Sequence, residues 1–212
     1  MAVPRTDREQ ALAITPVSRE TASRLDVFVE ELRRWQGVKN LVGPATLQQV
    51  WMRHVADSLQ LVDLAPDERR WLDLGSGAGF PGLVLGIAAL ERPGMSVGLV
   101  ESNGRKCAFL RHVARLTGAP VTIHEGRAEA LLPGLTGADV VTARAFAPLP
   151  QLLAVTRGLL TTGTLGLFPK GRGAEGELTE AAKSWTFDAE LLPSRTDSLA
   201  RIIRIRSLTQ RG

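Results

Sequence analysis

A glycine-dense stretch between two apolar runs carries the residues of this 212-residue chain that are best suited to chemistry. Residues 71–86 have the sequence WLDLGSGAGFPGLVLG, in which a predicted strand enters the glycines and a predicted helix, Phe80–Leu90, leaves them. Glycine allows a tight turn and close approach of a ligand, and a helix N-terminus offers unpaired N–H groups. The stretch therefore predicts a site for a nucleotide-like cofactor. Its candidate binding residues are Asp73, Gly75, Gly77 and Gly79.

The spacing of the glycines favours one cofactor class. The order G-x-G-x-G differs from the G-x-G-x-x-G of dinucleotide enzymes and is typical of a loop for S-adenosylmethionine (SAM). Glu101 lies 24 residues after Gly77, at the end of the next predicted strand, Ser96–Glu101. An acidic residue about 20 residues beyond such a loop can accept hydrogen bonds from both ribose hydroxyls. A plain tight turn and a solvated glutamate are the alternatives.

Polar segments also follow the third and fourth predicted strands. Arg127, Ala128 and Glu129 follow the third, where a residue would lie against adenine, although the residues alone favour a solvent-facing glutamate. Arg144 follows the fourth, where amine methylases often place Asp or Asn. An arginine can donate to a carboxylate or to purine O6, and its plane can stack on a base. Phe146 can stack as well, with core packing as an equal alternative.

Basic residues indicate a polyanionic partner. The net charge is +4, and residues 1–70 carry equal numbers of basic and acidic side chains, so the excess lies in residues 71–212. Lys170 and Arg172 form a basic glycine loop after the fifth predicted strand, which suits contacts to phosphate. The alternatives are a flexible loop and an ordinary basic surface.

The pattern of apolar runs predicts the elements that position these residues. Residues 1–65 form a helical extension, with a frayed start or a short helix over residues 1–17, a helix headed by Ser18 and a second helix from Thr46. Residues 66–212 form the SAM-binding domain, a single compact unit in which strands and helices alternate through five strands. Two closely connected strands follow. We expect a doubly wound α/β sheet with one antiparallel strand.

Composition excludes several classes of protein. No apolar run approaches the ~20 residues that span a bilayer, and the charged N-terminus is not a signal peptide. One cysteine, Cys107, excludes an internal disulfide and a cysteine-cluster metal site, and three histidines argue against any metal centre. We expect a cytoplasmic protein without a membrane or metal partner, in which Cys107 is a buried thiol and His54 a core-facing, hydrogen-bonded histidine.

Several motifs together resemble those of the bacterial 16S ribosomal RNA guanine-N7 methyltransferases, the RsmG family, formerly called glucose-inhibited division protein B. The resemblance covers nearly the whole chain. Its marks are Asn40-Leu41, Arg53-His54-Val55-Ala56-Asp57-Ser58, Asp73 to Gly82, Glu101-Ser102 with Lys106, Arg144-Ala145-Phe146 and Lys170-Gly171.

The resemblance implies a class I, Rossmann-like SAM-dependent methyltransferase with a seven-stranded sheet. It implies methylation at N7 of guanosine 527 in the 530 loop of 16S RNA. Gly75 and Phe80 would then line the cofactor, and Ala128 and Glu129 would lie against its adenine rather than face solvent. Arg144 would lie beside the cofactor and the target base.

Catalysis is expected to be mainly positioning, because guanine N7 already bears an in-plane lone pair and needs no general base. Arg144 would orient the base or the methionine carboxylate, and Arg127, Lys170 and Arg172 would hold RNA phosphates. The partner is 16S rRNA or the 30S subunit, and we expect a monomer. Two alternatives are a small-molecule SAM methyltransferase, which needs no basic face, and a non-enzymatic RNA-binding module, which would not bind SAM.

Overall fold

Seven strands form one mixed sheet in the computed structural model, which describes residues 5–39 and 44–211. The strands are β1 (Arg70–Leu74), β2 (Ser96–Glu101), β3 (Val121–Glu125), β4 (Val140–Ala143), β5 (Leu165–Lys170), β6 (Trp185–Pro193) and β7 (Arg201–Gln210). Their order across the sheet is β3-β2-β1-β4-β5-β7-β6. β7 runs antiparallel to both neighbours, and the other pairs are parallel. The predicted sheet with one antiparallel strand is confirmed.

Helical segments precede the sheet. They are α1 (Asp7–Ile14), α2 (Arg19–Lys39), a 3₁₀ turn (Pro44–Gln49), a π-helical turn (Trp51–Ala56), α3 (Asp57–Leu59) and a 3₁₀ turn (Val62–Leu64). α1 begins at a capping box in which Thr6 and Glu9 satisfy each other's backbone N–H groups. The start of the chain therefore includes a short helix, the second of the two predicted forms. The turn predicted at residues 40–43 lies outside the described residues.

The helix predicted from Thr46 is present, because residues 44–59 are helical throughout, but its hydrogen-bond pattern changes from 3₁₀ to π to α along the segment. The Asp7 carboxylate accepts hydrogen bonds from Trp51 N (2.9 Å) and Met52 N (3.2 Å), which fixes the start of the π-helical turn. The Asp57 N–H then bonds to the carbonyls of His54 and Val55 at its end. Single π-helical turns inside helices often mark functional sites.

Helices cover both faces of the sheet. Those after β1 are α4 (Gly82–Ala88), α5 (Gly104–Thr117), α6 (Ala128–Leu131), α7 (Leu149–Leu160) and α8 (Ala174–Ala181). α4 and α5 share one core with the N-terminal helices, and α7 and α8 cover the opposite face. Phe28 of α2 packs against Phe80, with ring centroids 5.0 Å apart, and against Phe109 of α5 at 6.3 Å. The N-terminal helices are thus packed beside the glycine loop.

Because both faces of the sheet are covered, β7 buries isoleucines on both of its sides. Ile202 is buried in the core on one face, whereas Ile203 and Ile205 are buried in the core on the other. Consecutive apolar residues are expected in a strand that is buried on both sides. Within the described residues, no helix combines the length and apolar character needed to cross a membrane.

Candidate active site

The strand order brings the predicted site segments to one edge of the sheet. The carboxyl ends of β3, β2, β1 and β4 lie side by side, and each is followed by one of the polar segments singled out in the sequence. From β1 the chain adds β2 and β3 toward one side of the sheet, and then β4 and β5 toward the other side. Ligands of open α/β sheets bind at such a switch point, which here lies between β1 and β4.

The glycine loop has a conformation that favours glycine. Gly75, Gly77 and Gly79 have φ angles of +66°, +57° and +98°. The loop is tied to the end of β2, since the Gly75 N–H donates to the carbonyl of Val100 at 2.8 Å. A Cβ atom on Gly75 would lie 2.6 Å from Cδ2 of Phe146. Any side chain at Gly75 would therefore displace the Phe146 ring and strain the turn.

Asp73 supports the glycine loop from inside the protein. Its side chain is fully buried, and Oδ2 accepts a hydrogen bond from Gly82 N at 3.0 Å at the start of α4. Oδ1 has no hydrogen-bond partner in the described structure. Burial raises the pKa of Asp73 to about 7, although the hydrogen bond from Gly82 N and the charge of Arg144 oppose the rise. Asp73 shapes the loop, and its predicted contact with the cofactor stays a prediction.

Glu101 links the end of β2 to the glycine loop. Its Oε2 accepts from Gly77 N at 2.9 Å and its Oε1 from Asn103 N at 2.8 Å. The side chain of Asn103 in turn caps α5. A carboxylate has about four lone-pair positions, so two remain for a ligand. Glu101 is therefore both fixed in position and able to accept further hydrogen bonds.

The turn after β3 begins beside Glu101. Gly126 N donates to the Glu101 carbonyl at 2.9 Å, which brings the next residues to the same edge. Ala128 is buried at the start of α6, whereas Arg127 and Glu129 are exposed. The structure thus brings the predicted adenine-contact residues next to the predicted ribose-binding carboxylate.

Arg144 is held by the N-terminal helical segments. Its Nη1 donates to the Arg53 carbonyl at 3.1 Å and forms an ion pair with Asp57 Oδ2 at 3.4 Å. Its guanidinium carbon lies 5.4 Å from the centre of the Phe80 ring, within the range of a cation–π contact. Burial lowers the pKa of Arg144, and the charges of Asp57 and Asp73 oppose this. The side chain remains a cation at neutral pH.

The backbone after Arg144 is strained. Ala145 has a φ angle of +53°, which an L-residue with a Cβ atom rarely adopts. Such strain of about 1–3 kcal/mol is found mainly where the structure must place particular side chains. Here it turns Phe146 onto Gly75 while Arg144 points toward the N-terminal helices.

His54 is a neutral neighbour of Arg144. Its ring stacks on Phe80 with centroids 4.9 Å apart, and neither ring nitrogen has a hydrogen-bond partner in the described structure. The predicted hydrogen bond of His54 is therefore wrong: the ring packs through its face against Phe80, and its nitrogen atoms, which bond in the plane of the ring, have no partner in the described structure. Burial, together with the charges of Arg144 and Arg53, lowers the pKa of His54 to about 4. Cys107 is a buried thiol, as predicted.

A cavity of about 1010 Å³ opens beside the glycine loop. Its walls come from α1, the π-helical turn, the loop after β4, the end of β5 and the loop between β6 and β7. Arg144 and Phe146 line it, whereas the glycines of residues 75–79 do not. Phe146 contacts Gly75 and lines the cavity, so it stands between the glycine loop and the larger space.

The predicted phosphate contacts differ in exposure. Lys170 is mostly buried, and its Nζ donates to Ala147 O at 2.9 Å and to Glu177 Oε2 at 2.7 Å. The same Glu177 oxygen accepts from Leu149 N at 2.6 Å. Lys170 thereby braces the loop after β4, and its predicted phosphate contact stays a prediction. Arg172 is exposed.

The N-terminal segment contributes more to the site than the sequence indicated. Arg53, His54 and Asp57 line the cavity together with Arg144. The sequence marks these three residues only through the family resemblance, which gives them no role at this edge. In the sequence, the motif of residues 53–58 is the feature that identifies these three residues as candidates. Their contact with Arg144 depends on tertiary packing.

Fold and site together define a Rossmann-like, class I methyltransferase. Solved structures of similar fold include an O-methyltransferase from Bacillus cereus in complex with SAH, with a TM-score of 0.62 and 14% identity, covering 95% of this chain and 98% of that one. Another is the O-methyltransferase TomG from Streptomyces achromogenes, with a TM-score of 0.58, 14% identity and 95% coverage of both chains. The profile of the family described as rRNA small subunit methyltransferase G (GidB) matches residues 21–201, and the chain belongs to this family.

Curated relatives agree with the family match. A protein of Methylorubrum extorquens (strain PA1) named Ribosomal RNA small subunit methyltransferase G is 64% identical over 203 residues, covering 96% of each chain. The protein of the same name from Parvibaculum lavamentivorans is 51% identical, covering 95% of this chain and 90% of that one. The predicted family and the predicted enzyme class, an rRNA methyltransferase, are confirmed.

Proposed function

We propose that this enzyme transfers the methyl group of SAM to N7 of a guanosine in 16S ribosomal RNA, at guanosine 527 of the 530 loop. Family membership supports the substrate class, and the family resemblance supplies the atom and the nucleotide. The observation that carries the cofactor assignment is the Glu101 carboxylate. It is hydrogen-bonded to Gly77 N of the glycine loop and retains lone pairs for a ribose.

The residues present fit the cofactor. When bound, SAM supplies a methyl group on a positively charged sulfur. Glu101 would accept from the ribose hydroxyls, and the turn holding Ala128 and Glu129 would contact adenine. A Cβ atom at Gly77 would meet only Gly75 O, at 3.6 Å, so the absent side chain of Gly77 would leave this part of the loop open to the methionine portion. His54 would add no positive charge to the cavity wall beside Arg144, because its lowered pKa keeps it neutral at pH 7.

Arg144 and Phe146 would position the guanine in the cavity. The hydrogen bonds of Arg144 to Arg53 and Asp57 both use Nη1, and Nη2 and Nε can still donate to O6 of a purine. The Phe146 ring offers a face on which a base can stack. Guanine N7 attacks through a lone pair without losing a proton, so positioning rather than base catalysis accounts for the chemistry.

Exposed arginines would hold the RNA. Arg127 and Arg172 are solvent-exposed at the same edge of the sheet as the site. Each phosphate contact is expected to contribute about one unit to the slope of log affinity against log salt. An R127A or R172A variant should therefore bind 30S subunits more weakly and with a shallower salt dependence, whereas unchanged salt dependence would exclude the contact.

Methyl transfer from labelled SAM to 30S subunits lacking this methyl group tests the proposal. The product should be N7-methylguanosine at position 527, identified by nucleoside analysis and by chain cleavage at the modified base. Label in another nucleoside or at another position would contradict it. Efficient methylation of free guanosine without competition by 30S subunits would favour the small-molecule alternative. Calorimetry with SAM excludes the non-enzymatic alternative if binding is observed.

A further inference from the structure

One carboxylate connects three parts of the cavity wall. Asp57 Oδ2 pairs with Arg144 Nη1 of the loop after β4 at 3.4 Å. Asp57 Oδ1 accepts from Thr196 Oγ1 at 2.8 Å, in the loop between β6 and β7, and from Gln60 Nε2 at 2.8 Å. Asp57, Arg144 and Thr196 all line the cavity. The carboxylate thus joins the N-terminal helical segment to two loops that are distant in sequence.

Gln60 extends this connection. Its side chain is buried, its Nε2 also donates to Ser194 Oγ at 3.1 Å, and its Oε1 accepts from Arg195 N at 2.9 Å. The loop between β6 and β7 is therefore held through both its side chains and its backbone. These polar groups are hydrogen-bonded to one another, so their relative positions are fixed more firmly than those of isolated polar groups at an open surface.

Burial makes Asp57 important for the placement of Arg144. The two side chains are 15% and 20% exposed, so solvent screens their attraction less than at an open surface. Asp57 is the foremost charge opposing the effect of burial on the Arg144 guanidinium. If that charge were removed, Arg144 would gain by moving toward solvent and away from the Phe80 ring.

We infer that Asp57 is a positioning residue for methyl transfer: it holds Arg144 at the cavity wall and fixes the loop at residues 194–196 against the same cavity. The inference rests on the proposed role of Arg144. Asp57 itself need not touch the substrate. Asp57 holds Arg144 in one orientation before the guanine binds. The entropy of ordering the Arg144 side chain is then not lost during the reaction, which lowers the activation free energy.

Asp57→Asn tests this, because asparagine preserves the shape but removes the charge. Loss of a hydrogen bond between charged groups predicts a fall of about tenfold or more in kcat/KM for 30S methylation. SAM affinity, measured by calorimetry, should change less than about twofold, because Asp57 lies on the cavity side of the site. Asp57→Glu retains the carboxylate and should recover part of the lost activity.

A double-mutant cycle separates positioning from general damage. In an Arg144→Ala background, Asp57→Asn should lower kcat/KM by less than about twofold more, because its target is already absent. The matched control is Asp63→Asn, which removes a half-exposed ion pair with Arg195 between the same two regions. This control should leave kcat/KM within about twofold of the wild-type value.

Hydrogen exchange provides a readout that does not depend on activity. Asp57→Asn should increase amide exchange at residues 194–198, and Asp63→Asn should not. Equal losses of kcat/KM from Asp57→Asn in the wild-type and Arg144→Ala backgrounds would overturn the inference, as would wild-type exchange in that loop. If wild-type enzyme makes no N7-methylguanosine, the proposed function fails, while the exchange experiment still tests the connection between Asp57 and the loop.

Discussion

Replacing Asp73 with asparagine should remove a large part of the pH dependence of folding stability. Asp73 is fully buried below the glycine loop, and burial raises its pKa from 3.8 to about 7. Asparagine has the same shape and can still accept from Gly82 N through its amide oxygen. In the Asp73→Asn variant the amide nitrogen takes the place of Oδ1, which has no hydrogen-bond partner in the described structure. Any change that this nitrogen causes in the free energy of unfolding is therefore the same at every pH.

The sign and size follow from proton linkage. Between pH 3.8 and about 7 the native state keeps the Asp73 proton that the unfolded state has lost, so stability falls as pH rises through this window. Below it both states are protonated, and above it both are ionised. At about 1.36 kcal/mol per pKa unit, the full window corresponds to about 4 kcal/mol, of which about 2.5 kcal/mol lies between pH 5 and pH 8.

Urea unfolding at half-unit intervals from pH 5 to pH 8 measures the effect. The free energy of unfolding of the wild type minus that of Asp73→Asn should decrease by about 2.5 kcal/mol across the range. Contributions of most other groups cancel in this difference. The Asp63→Asn variant, at a half-exposed position, should show a change below about 0.5 kcal/mol. A wild-type minus Asp73→Asn difference that is constant between pH 5 and pH 8 would refute the reasoning.

Three further substitutions test other contacts. Gly75→Ala adds a Cβ atom 2.6 Å from the Phe146 ring at a φ of +66° and should weaken SAM binding more than tenfold, as measured by calorimetry. The control Gly134→Ala adds a Cβ atom with nothing within 4 Å and should leave SAM affinity unchanged. Equal SAM affinities of the two variants would contradict the steric account. Glu101→Gln cannot accept from both backbone N–H groups and should lower the free energy of unfolding by about 2 kcal/mol, and an unchanged urea midpoint would argue against it. Asp7→Ala removes the cap of the π-helical turn and should lower the free energy of unfolding, measured by thermal unfolding, by about 1 kcal/mol. Asp7→Asn keeps an acceptor oxygen and should preserve most of the wild-type stability.

Much of the fold was predictable because local chemistry and long-range packing agree. β2 was predicted with its observed bounds, Ser96–Glu101, since a short run of apolar residues ends at a glutamate and the polar turn of residues 102–104. The helix after the glycine loop starts at Gly82, two residues later than predicted. β5 continues through Lys170 because residues 166–170 pair with β7. Pairing partners, rather than local preference, decide such endpoints.

The contacts of the site could not be predicted in the same way. Asp57 lies 87 residues from Arg144 and 139 residues from Thr196 along the chain, and no local pattern encodes that they meet. Lys170 was expected to bind phosphate because it is basic and lies on a glycine loop, but only the folded structure reveals its partner Glu177. Charge and position at a strand end identify candidates, whereas burial decides whether a charge already has a partner.

The short helix α1 has a consequence for how fragments of this enzyme should be prepared. The family profile begins at residue 21, beyond the end of α1. Nevertheless Asp7 of α1 caps the turn that carries Arg53, and Asp7 and Gln10 line the cavity. A fragment trimmed to the shared family segment would therefore lack one wall of the cavity beside Arg144. A fusion tag is better placed after Gln210, where β7 ends, than before α1.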